Sequence, residues 1–397
     1  MAGKEKRAGL DRPLRMGMVG GGPGAFIGEV HRKAARLDGG VVLTAGAFDI
    51  DAAKSRQMGR ELYLDSRRVY NNFEEMIAGE LALGEEERID FVSVCTPNNW
   101  HYPIAKAFLE AGIHVMCEKP MTLTLEEAKQ LRQVVKRTGL VFGLMHNYTG
   151  YPMVKLARDM VRGGDLGEVL KVVVQYPQGW LIRPIERGDC MQAKWRTDPK
   201  QSGAAGSMGD IGTHAENLVE YVTGLKILEV CADLTTFVKG RRLDDDGNCL
   251  LHLEKGARGV LHASQVSVGQ ENNLAVWVHG RKGSVEWRQE APNELVVTRL
   301  DEPVQVWRRG NAYVAARSES AARATRLPAG HPEAFIEAFA NIYRNFTDTV
   351  RAAAAGVKPK AIELDFPGVE EGVRGMGFIA SVVASQKSRQ KWTKMKA

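Results

Sequence analysis

The amino-acid sequence predicts an α/β protein with two domains: a doubly wound parallel sheet in residues 1–147, then an α+β domain with an open, mostly antiparallel sheet in residues 148–397. Three observations predict this class. The chain has 397 residues, more than one hydrophobic core usually serves. Strand and helix patterns alternate through residues 16–147, which is typical of repeated βα units. Beyond residue 148, several strand patterns follow one another with only short turns between them.

The N-terminal pattern begins with one strand–helix–strand unit. The apolar run Met16–Val19 predicts a buried strand, and Val41–Phe48 predicts a second one. Between them, apolar residues at helical spacing from Phe26 to Leu37 predict a helix. The alternation continues with helices expected at 52–62, 72–78, 101–111 and 125–138, and strands at 89–95, 113–117 and 140–145. Continuous apolar strands joined by helices indicate a parallel sheet covered on both faces.

The C-terminal pattern is different. A helix at 154–162 and a strand at 170–176 precede a long loop at 177–206, and a further helix is expected near 210–223. Six strands are then expected in meander order, at 227–237, 249–253, 259–268, 274–279, 284–289 and 294–299. Residues 310–328 have the pattern of a loop. Helices from 332 to 355 and after Phe366 close the chain, and these last helices are expected to pack back on the first domain.

A glycine-rich turn separates the first strand from the first helix. Gly20, Gly22 and Ala25 fit the G-x-G-x-x-G/A pattern of dinucleotide-binding Rossmann sheets. Glycine lets the backbone approach a pyrophosphate, and the following helix points its N–H groups and dipole at the anion. Asp49 is placed to accept a hydrogen bond from a ribose 2′-OH. It lies further from the glycines than the usual ~20 residues, so the helix is expected to start late or to be long. The alternative is a glycine-rich turn that binds nothing.

Composition and charge argue against a nucleic-acid-binding face and a membrane protein. The formal net charge is +6, but the first 15 and last 12 residues together carry +8, so the rest of the chain is slightly acidic. No apolar run approaches a membrane span, and the N-terminus lacks the apolar core of a signal peptide. The five cysteines are scattered without a CxxC motif, which indicates reduced thiols and a cytoplasmic location.

Three polar residues are candidates for catalysis. Lys119 follows a predicted strand, and Pro120 holds it extended at the carboxyl edge of the sheet. It can act as an acid or polarise a hydroxyl, or it is a strand-end lysine that only faces solvent. Asp210 and His214 lie four residues apart, on one face of a helix, so the carboxylate can orient an imidazole that takes a proton near neutral pH. The alternative is a capping aspartate and a core histidine.

Two further patterns point to chemistry less directly. Residues 244–246 are three consecutive aspartates, but the additional ligands that a metal site would need are not apparent, so no metal is expected. Tyr151 and Lys155 match the Y-x-x-x-K pattern of short-chain dehydrogenases. Pro152 follows the tyrosine, however, and the glycine spacing of those enzymes is absent.

Taken together, these motifs resemble the glucose-fructose oxidoreductase and inositol dehydrogenase family (Gfo/Idh/MocA). The set consists of GGGPGAFIG, TPNNWH, EKP, and WRTDP followed by GDIGTH, in this order, and the similarity runs from Met16 to the C-terminal helices. The resemblance implies a Rossmann domain and a second domain whose open sheet often mediates dimers or tetramers. It also implies that Lys119, Asp210 and His214 are catalytic. Asp49 favours NAD over NADP because a 2′-phosphate would meet its carboxylate.

The resemblance extends to residues around the cofactor and the substrate. Those implied to bind the cofactor are Gly20, Gly22, Pro23, Gly24, Ala25, Phe26, Ile27, Asp49, Thr96, Pro97, Asn98, His101, Glu118, Lys119, Asn147, Trp195 and Arg196. Those implied to contact the substrate are Lys119, Tyr148, Tyr151, Arg196, Asp210 and His214. The sequence departs from the family in extra residues of the glycine turn, in HNYTGYP and in YPQGWL. We associate these features with a branch that acts on glucose-like sugars or glycosides at C3.

The implied function is reversible hydride transfer between a hydroxyl carbon of a sugar or cyclic polyol and NAD. His214 would remove the hydroxyl proton and Lys119 would stabilise the alkoxide. Two alternatives stay open: an NAD-dependent glycosidase that oxidises its sugar transiently, and a non-catalytic sensor, against which the intact Lys119, Asp210 and His214 argue. The expected partners are a small-molecule substrate and a second copy of the chain, in a homodimer or homotetramer formed through the C-terminal sheet. The Lys119–Pro120 peptide is expected to be cis, as it often is in the family.

Overall fold

The computed structural model describes residues 10–396, which form two compact units. The first unit contains residues 10–122, 126–145 and 339–372, and the second contains residues 123–125, 146–338 and 373–396. The sequence places the domain boundary after residue 147. The contacts instead put the first main break after Met145 and include residues 339–372 in the first unit. Each unit is therefore assembled from segments that are far apart in the sequence.

The first unit is built on five parallel strands. They are β1 (Leu14–Gly20), β2 (Val41–Ala47), β3 (Phe91–Cys95), β4 (His114–Cys117) and β5 (Phe142–Leu144). Their order across the sheet is β2-β1-β3-β4-β5, so the strand order reverses between β1 and β3. The predicted doubly wound parallel sheet is confirmed. Ligands of such sheets bind beyond the carboxyl ends of the strands at the reversal.

The helices account for most of the remaining regular structure. They are α1 (Phe26–Arg36), α2 (Ala52–Glu61), α3 (Phe73–Ala82), α4 (His101–Glu110), α5 (Leu125–Thr138), α6 (Pro152–Arg162), α7 (Met191–Arg196), α8 (Pro199–Ser202), α9 (Thr213–Thr223), α10 (Ala312–Arg317), α11 (Glu319–Arg323), α12 (Phe335–Ala354) and α13 (Val369–Lys387). Asn72 caps α3 by accepting a hydrogen bond from the Glu75 N–H, and this helix runs past its predicted end at residue 78.

The second unit contains a nine-stranded sheet. Its strands are β6 (Val169–Pro177), β7 (Ile227–Thr235), β8 (Asp246–Leu253), β9 (Arg258–Ser264), β10 (Ala275–Gly280), β11 (Gly283–Arg288), β12 (Glu294–Arg299), β13 (Gln305–Arg308) and β14 (Thr393–Lys394). Their order is β13-β12-β11-β10-β6-β9-β8-β7-β14. All neighbouring pairs are antiparallel except β6 and β9, so the predicted mostly antiparallel sheet is confirmed.

The predicted meander order is wrong at the centre of this sheet. β9 and β10 follow one another in the sequence but are not neighbours, because β6 lies between them. Val172 and Val174 of β6 are fully buried, as suits a strand that is paired on both sides. An apolar pattern identifies a strand but carries no information about its partner, so this insertion was not visible in the sequence.

Two segments expected to be loops contain short helices. The segment 177–206 holds α7 and α8, and Asp198 caps α8 by accepting a hydrogen bond from the Lys200 N–H. The segment 310–328 holds α10 and α11, and Ser318 caps α11. These helices have four to six residues, which is too few for helical periodicity to be recognised.

Several general features follow from residues 10–396. No helix in this range is both long and apolar enough to cross a membrane. Within the same range, His, Cys, Asp and Glu side chains form no group of three or more that could hold a metal ion. All five cysteines are free thiols, and Cys95, Cys117 and Cys249 are buried.

His114, at the start of β4, makes the stability of the first unit depend on pH. Its Nδ1 accepts a hydrogen bond from the Val141 N–H at 2.9 Å, and burial lowers the pKa of His114 to about 4. An unfolded histidine has a pKa of about 6.5, so the unfolded chain binds the extra proton first, and stability is lost as the pH falls from the unfolded towards the folded pKa. We expect this group alone to cost about 2 kcal/mol of unfolding free energy between about pH 7 and about pH 4.5.

The comparison variant is His114→Asn, which keeps an acceptor for the Val141 N–H but does not titrate. Urea unfolding of both proteins at the two pH values measures the difference. The variant should lose about 2 kcal/mol less than the wild type over this range. Equal losses would show that His114 contributes nothing to the acid sensitivity.

Candidate functional site

The glycine turn lies at the strand reversal of the first unit. Gly20 is the last residue of β1 and pairs in register with Cys95 at the end of β3. The φ of Gly20 is +82°, and a Cβ there would lie 2.7 Å from the Cys95 carbonyl oxygen. Glycine alone satisfies both conditions, so Gly20 makes the tight turn that the motif predicts.

Gly28, rather than Ala25, provides the close packing between this turn and the first helix. A Cβ on Gly28 would lie 2.3 Å from the Gly21 Cα, so the helix and the turn touch through their backbones. The motif had matched Ala25 to the third position, and that assignment is wrong for the packing role. Ala25 is instead the N-cap residue of α1, which begins at Phe26. The late helix start expected from the position of Asp49 is thereby confirmed.

Asp49 lies against the same turn. A Cβ on Gly22 would be 2.7 Å from the Phe48 carbonyl oxygen and 3.4 Å from the Asp49 Cβ. The Asp49 carboxylate is half-buried and accepts a hydrogen bond from the Asp51 N–H at 2.9 Å. The glycine turn and the acidic residue predicted from the sequence are therefore adjacent in the structure.

The turn has the features that a dinucleotide needs. Pro23 and Gly24 are exposed at its tip, and a Cβ on Gly24 would have no atom within 4 Å. Ala25 offers no side-chain cap to α1, and Phe26 and Ile27 form its first turn. Phosphate oxygens bind well at such a helix N-terminus.

The loop after β3 adds a second group that could bind a dinucleotide, a buried hydroxyl beside the glycine turn. The Thr96 side chain lies beside Gly20, and its Oγ1 is buried with no hydrogen-bond partner in the part of the chain that the structure describes. Pro97 and the buried Asn98 follow it. A bound ribose or phosphate offers the hydrogen bond that a buried hydroxyl requires.

His101 connects the loops that follow β3 and β4. It is buried at the start of α4, with Nδ1 2.7 Å from the Pro120 carbonyl oxygen and Nε2 2.9 Å from the Thr96 carbonyl oxygen. Burial lowers the pKa of His101, against the effect of these two carbonyls. Both ring nitrogens are thus engaged within the protein, which indicates that His101 shapes the loops at this edge.

Lys119 is half-buried and follows β4 at the same edge. The Lys119–Pro120 peptide is cis, as predicted. The Lys119 N–H donates a hydrogen bond to Glu118 Oε2 at 3.0 Å, and Glu118 Oε1 lies 2.7 Å from His31 Nε2. The backbone of the candidate catalytic lysine is therefore held by a carboxylate that is itself paired.

The imidazole of His31 completes a buried ion pair with Glu118. Its Nδ1 lies 2.6 Å from the Tyr343 hydroxyl. Burial alone would lower the pKa of His31, but its neighbours, Cys95 first among them, raise it well above the ordinary value. Burial alone would raise the pKa of Glu118, but the hydrogen bond and charge of His31 lower it. Sequence reasoning missed His31, whose signal is a histidine on the buried face of α1.

In the second unit, Asp210 and His214 lie on one helical segment with a wide first turn. Met208–Gly212 is a π-helical turn, and α9 continues from Thr213. The prediction of a regular helix from residue 210 is therefore wrong for this turn. His214 is buried and Asp210 is half-buried. In a π turn, residues four apart do not lie directly above one another as they do in an α-helix. The directions of the Asp210 and His214 side chains therefore depend on the residues that contact them.

Two side chains hold the Asp210 carboxylate. Asp210 Oδ2 accepts hydrogen bonds from Arg196 Nε at 3.1 Å and from Gln265 Nε2 at 2.8 Å. The Arg196 guanidinium lies over the Trp195 ring, 4.1 Å from its centroid, and donates to Gln192 Oε1 at 2.7 Å. Arg196, implied to face the ligands, is thus also an ion-pair partner of Asp210. Gln265 was missed because one glutamine at the end of a strand belongs to no motif.

Aromatic rings surround His214. The ring centroids of Tyr148, His146 and Tyr176 lie 4.7, 5.4 and 6.3 Å from that of His214. The Tyr148 and Tyr176 hydroxyls form a hydrogen bond with each other. Burial, followed by the influence of Tyr176, raises the pKa of Tyr148 well above its ordinary value, so this hydroxyl stays protonated at neutral pH. The structure thus brings the predicted Tyr148 to His214, together with His146 and Tyr176, which were not predicted.

The two other predicted residues of this segment lie deeper. Asn147 is buried in the short turn Asn147–Gly150. The Tyr151 ring is buried, with its centroid 5.1 Å from that of Trp287 and 6.1 Å from that of Tyr148. Tyr151 therefore packs between Tyr148 and Trp287. The second unit thus places a buried imidazole among phenol rings, on the helical segment that also carries the paired Asp210 carboxylate, and such groups are suited to binding a hydroxyl and taking its proton.

Known protein families match both parts of the chain. Residues 14–146 match the family model described as "Oxidoreductase family, NAD-binding Rossmann fold". Residues 154–286 match the model described as "GFO/IDH/MocA C-terminal domain". The two matches together cover more than half of the chain.

Individual relatives agree with this assignment. The chain is 34% identical to the uncharacterized oxidoreductase YfiI of Bacillus subtilis (strain 168), over 98% of each protein. It is 28% identical to a levoglucosan dehydrogenase of Pseudarthrobacter phenanthrenivorans, over 72% of this chain and 76% of that protein. The crystal structure of an inositol dehydrogenase homolog from Azotobacter vinelandii, complexed with NADH and myo-inositol, is 35% identical and has a TM-score of 0.87. The match covers 97% of this chain and 98% of that chain.

Proposed function

The chain belongs to the Gfo/Idh/MocA family of NAD-binding oxidoreductases, and from this we propose that it oxidises a secondary hydroxyl of a sugar or cyclic polyol. Two of the similar proteins are named for such compounds, levoglucosan and inositol. The observation that carries the proposal is the arrangement around His214, where an imidazole enclosed by aromatic rings shares a helical segment with the paired carboxylate of Asp210.

Each candidate catalytic residue has a distinct role in this proposal. NAD, when bound, supplies the hydride acceptor, and the glycine turn, α1 and Asp49 would hold it. His214 takes the proton of the substrate hydroxyl, since an imidazole exchanges protons near neutral pH. Asp210 orients His214 and accepts a hydrogen bond from a second substrate hydroxyl. Lys119 donates a hydrogen bond to the oxygen that becomes an alkoxide, so its positive charge stabilises that oxygen.

We propose a glucose-like ring oxidised at C3 as the substrate. The support is the resemblance carried by HNYTGYP and YPQGWL, the segments that include Tyr148 and Tyr176 beside His214. Ring hydroxyls need several directed hydrogen-bond partners, and protonated phenols together with Asp210 provide them.

The test is turnover of NAD with a panel of glucose, glucosides, levoglucosan and myo-inositol, followed at the NADH absorbance. We expect net NADH with at least one sugar or polyol. Cleavage of a glycoside without net NADH would instead support an NAD-dependent glycosidase. Binding of sugars without either reaction would contradict the proposal and support a sensor.

We predict that Asp49 makes the protein selective for NAD over NADP. The Asp49 side chain begins beside the glycine turn, and its carboxylate would accept a hydrogen bond from a ribose hydroxyl and repel a 2′-phosphate. A hydrogen bond to a charged group is worth about 1.5–3 kcal/mol, so Asp49→Ala should lower the preference for NAD by about 10- to 100-fold. The measurement is kcat/KM for both cofactors.

Asp51→Ala is the matched control, because it removes a carboxylate two residues away that only caps α2. This variant should keep the cofactor preference of the wild type. Equal use of NAD and NADP by the wild type would overturn the prediction, and so would an unchanged preference in Asp49→Ala.

We also propose that the protein forms a homodimer or homotetramer through the nine-stranded sheet. Four apolar side chains, Trp277, Val173, Val260 and Leu250, are paired in register across the neighbouring strands β10, β6, β9 and β8, and each is at least partly exposed. Exposed apolar side chains of this kind are typical of interfaces when they are contiguous. Light scattering should give a multiple of the chain mass, and Leu250→Asp should lower it. A monomeric mass for the wild type would contradict the proposal.

A further inference from the structure

The acidic turn at residues 244–246 ends the loop between β7 and β8, with Asp246 as the first residue of β8, and its three aspartates have different environments. Asp244 and Asp245 are buried, whereas Asp246 is half-exposed and accepts a hydrogen bond from the Asn248 side chain at 3.2 Å. Carboxylates are rarely buried unless their oxygens are engaged, so the contacts of the buried pair indicate what this turn does.

Asp244 accepts four hydrogen bonds from one short segment, residues 206–208. Asp244 Oδ1 accepts from the Gly206 N–H at 2.7 Å. Asp244 Oδ2 accepts from the Ser207 hydroxyl at 2.8 Å and from the Met208 N–H at 2.9 Å. The Asp244 backbone carbonyl accepts from the Ser207 N–H at 2.9 Å. Residues 206–208 lead directly into the π turn that carries Asp210.

These hydrogen bonds cap the N-terminal end of the helical segment that carries Asp210 and His214. The first N–H groups of a helix have no partner within the helix. Ser207, at the N-cap position of the π turn, makes no side-chain cap of its own. Asp244 takes this role from a distant loop, and its negative charge is favourable at the positive end of the helix dipole. The carboxylate thus defines where the segment with Asp210 and His214 begins.

The backbones of Gly206 and Asp244 are packed so closely that neither segment can move without moving the other. A Cβ on Gly206 would lie 2.0 Å from the Asp244 carbonyl oxygen, so the two backbones touch. Asp245 links the same turn to Asp210 by a second route. Its carbonyl accepts a hydrogen bond from the Gln265 N–H at 2.8 Å, and Gln265 Nε2 donates a hydrogen bond to Asp210. A displacement of this turn would therefore move Asp210 in two ways: through the π turn that carries it, and through Gln265, which donates to its carboxylate.

We infer that Asp244 is a positioning residue for the reaction: it caps the π turn and thereby holds Asp210 and His214 in their catalytic orientation. This inference rests on the proposed function for its kinetic consequence. The capping contact itself stands on the hydrogen bonds alone.

The test uses the same substitution at two positions of the turn. Asp244→Asn is isosteric but places an NH2 group where the carboxylate accepted from N–H and O–H donors. Asp246→Asn makes the identical change at a half-exposed carboxylate that accepts a hydrogen bond from the Asn248 side chain. A small misplacement of catalytic groups can cost about 100-fold in rate, so Asp244→Asn should lower kcat by about 10- to 100-fold. Its KM for NAD should stay within about twofold, because the glycine turn and Asp49 belong to the first unit, and Asp246→Asn should match the wild type.

Ser207→Ala provides a milder variant in case Asp244→Asn does not fold. It removes one of the four bonds and should lower kcat in the same direction by a smaller factor. A kcat per folded molecule that is unchanged in the folded variants would overturn the inference, because a purely structural role lowers only the folded fraction. A kcat loss shared equally by Asp246→Asn would also overturn it.

Hydrogen exchange separates this result from a failure of the proposed function. Exchange of the amides at residues 206–210 should be faster in Asp244→Asn and unchanged in Asp246→Asn, whether or not a substrate is known. If the wild type oxidises no sugar or polyol, the proposed function fails while the exchange result still decides whether Asp244 caps the turn. If exchange is unaffected, the capping role is wrong even in an active enzyme.

Discussion

His214→Ala should lower kcat by roughly 10²–10⁴-fold, the range typical of losing a general base. The imidazole is buried among aromatic rings, and solvent offers no replacement base in the same position. The affinity for NAD should change little, because the glycine turn and Asp49 belong to the first unit. Steady-state kinetics and a direct NAD titration measure the two quantities separately.

The pH profile gives a second readout for His214. The rate of the wild type should fall on the acidic side, where a protonated imidazole cannot accept the substrate proton, and this limb should disappear in His214→Ala. His331→Ala, which removes an exposed histidine from a loop of the same unit, is the matched control and should keep the profile. Near-native turnover in His214→Ala would exclude it as the general base. Asp210→Asn should give a smaller fall in kcat, since it loses orientation but not the base.

Lys119→Ala should lower kcat by about 10²–10³-fold, the effect typical of removing one donor that stabilises an oxyanion. Its backbone is held through Glu118 and the buried His31, so truncation of the side chain leaves the loop in place. A lysine that acts in the transition state affects kcat, whereas one that only contacts the nicotinamide ribose chiefly affects NAD affinity. Lys136→Ala on the exposed end of α5 is the control and should behave as the wild type.

The double variant tests whether Lys119 and His214 serve one chemical step. Residues that act as a unit are not additive, so Lys119→Ala with His214→Ala should cost much less than the sum of the single losses in free energy. Additive losses would assign the two residues to separate steps. If both single variants kept near-native turnover and bound NAD more weakly, Lys119 and His214 would only help to bind the cofactor. Other residues would then catalyse the reaction.

Much of the NAD half of the site was predictable because its signals are local. β1, the glycine turn, α1 and β2 follow one another in the sequence, and the period of the apolar residues identifies each element. In a parallel sheet every strand ends at the same edge, so the positions of Asp49, Thr96 and Lys119 just after β2, β3 and β4 place all three at that edge. Gly28 was missed because the consensus spacing assumes a helix that starts earlier than Phe26.

The second unit depends much more on contacts between distant residues. An apolar strand pattern shows that β6 has a buried face, but only the three-dimensional structure decides that it separates β9 from β10. The spacing of Asp210 and His214 indicated a shared helix face, yet the π turn beneath them is held by Asp244 from another loop. The partners of Asp210 likewise come from Arg196 and Gln265.

By itself, the sequence determined the two types of sheet, the glycine turn with Asp49, and the residue types available for proton transfer. These follow from periodicity and backbone freedom, which depend on neighbouring residues only. The tertiary structure alone decided the strand order of the second sheet, the partners of Asp210 and the cap of the π turn. Each of these depends on hydrogen bonds between residues far apart in the chain, and such pairing leaves no periodic trace in the sequence.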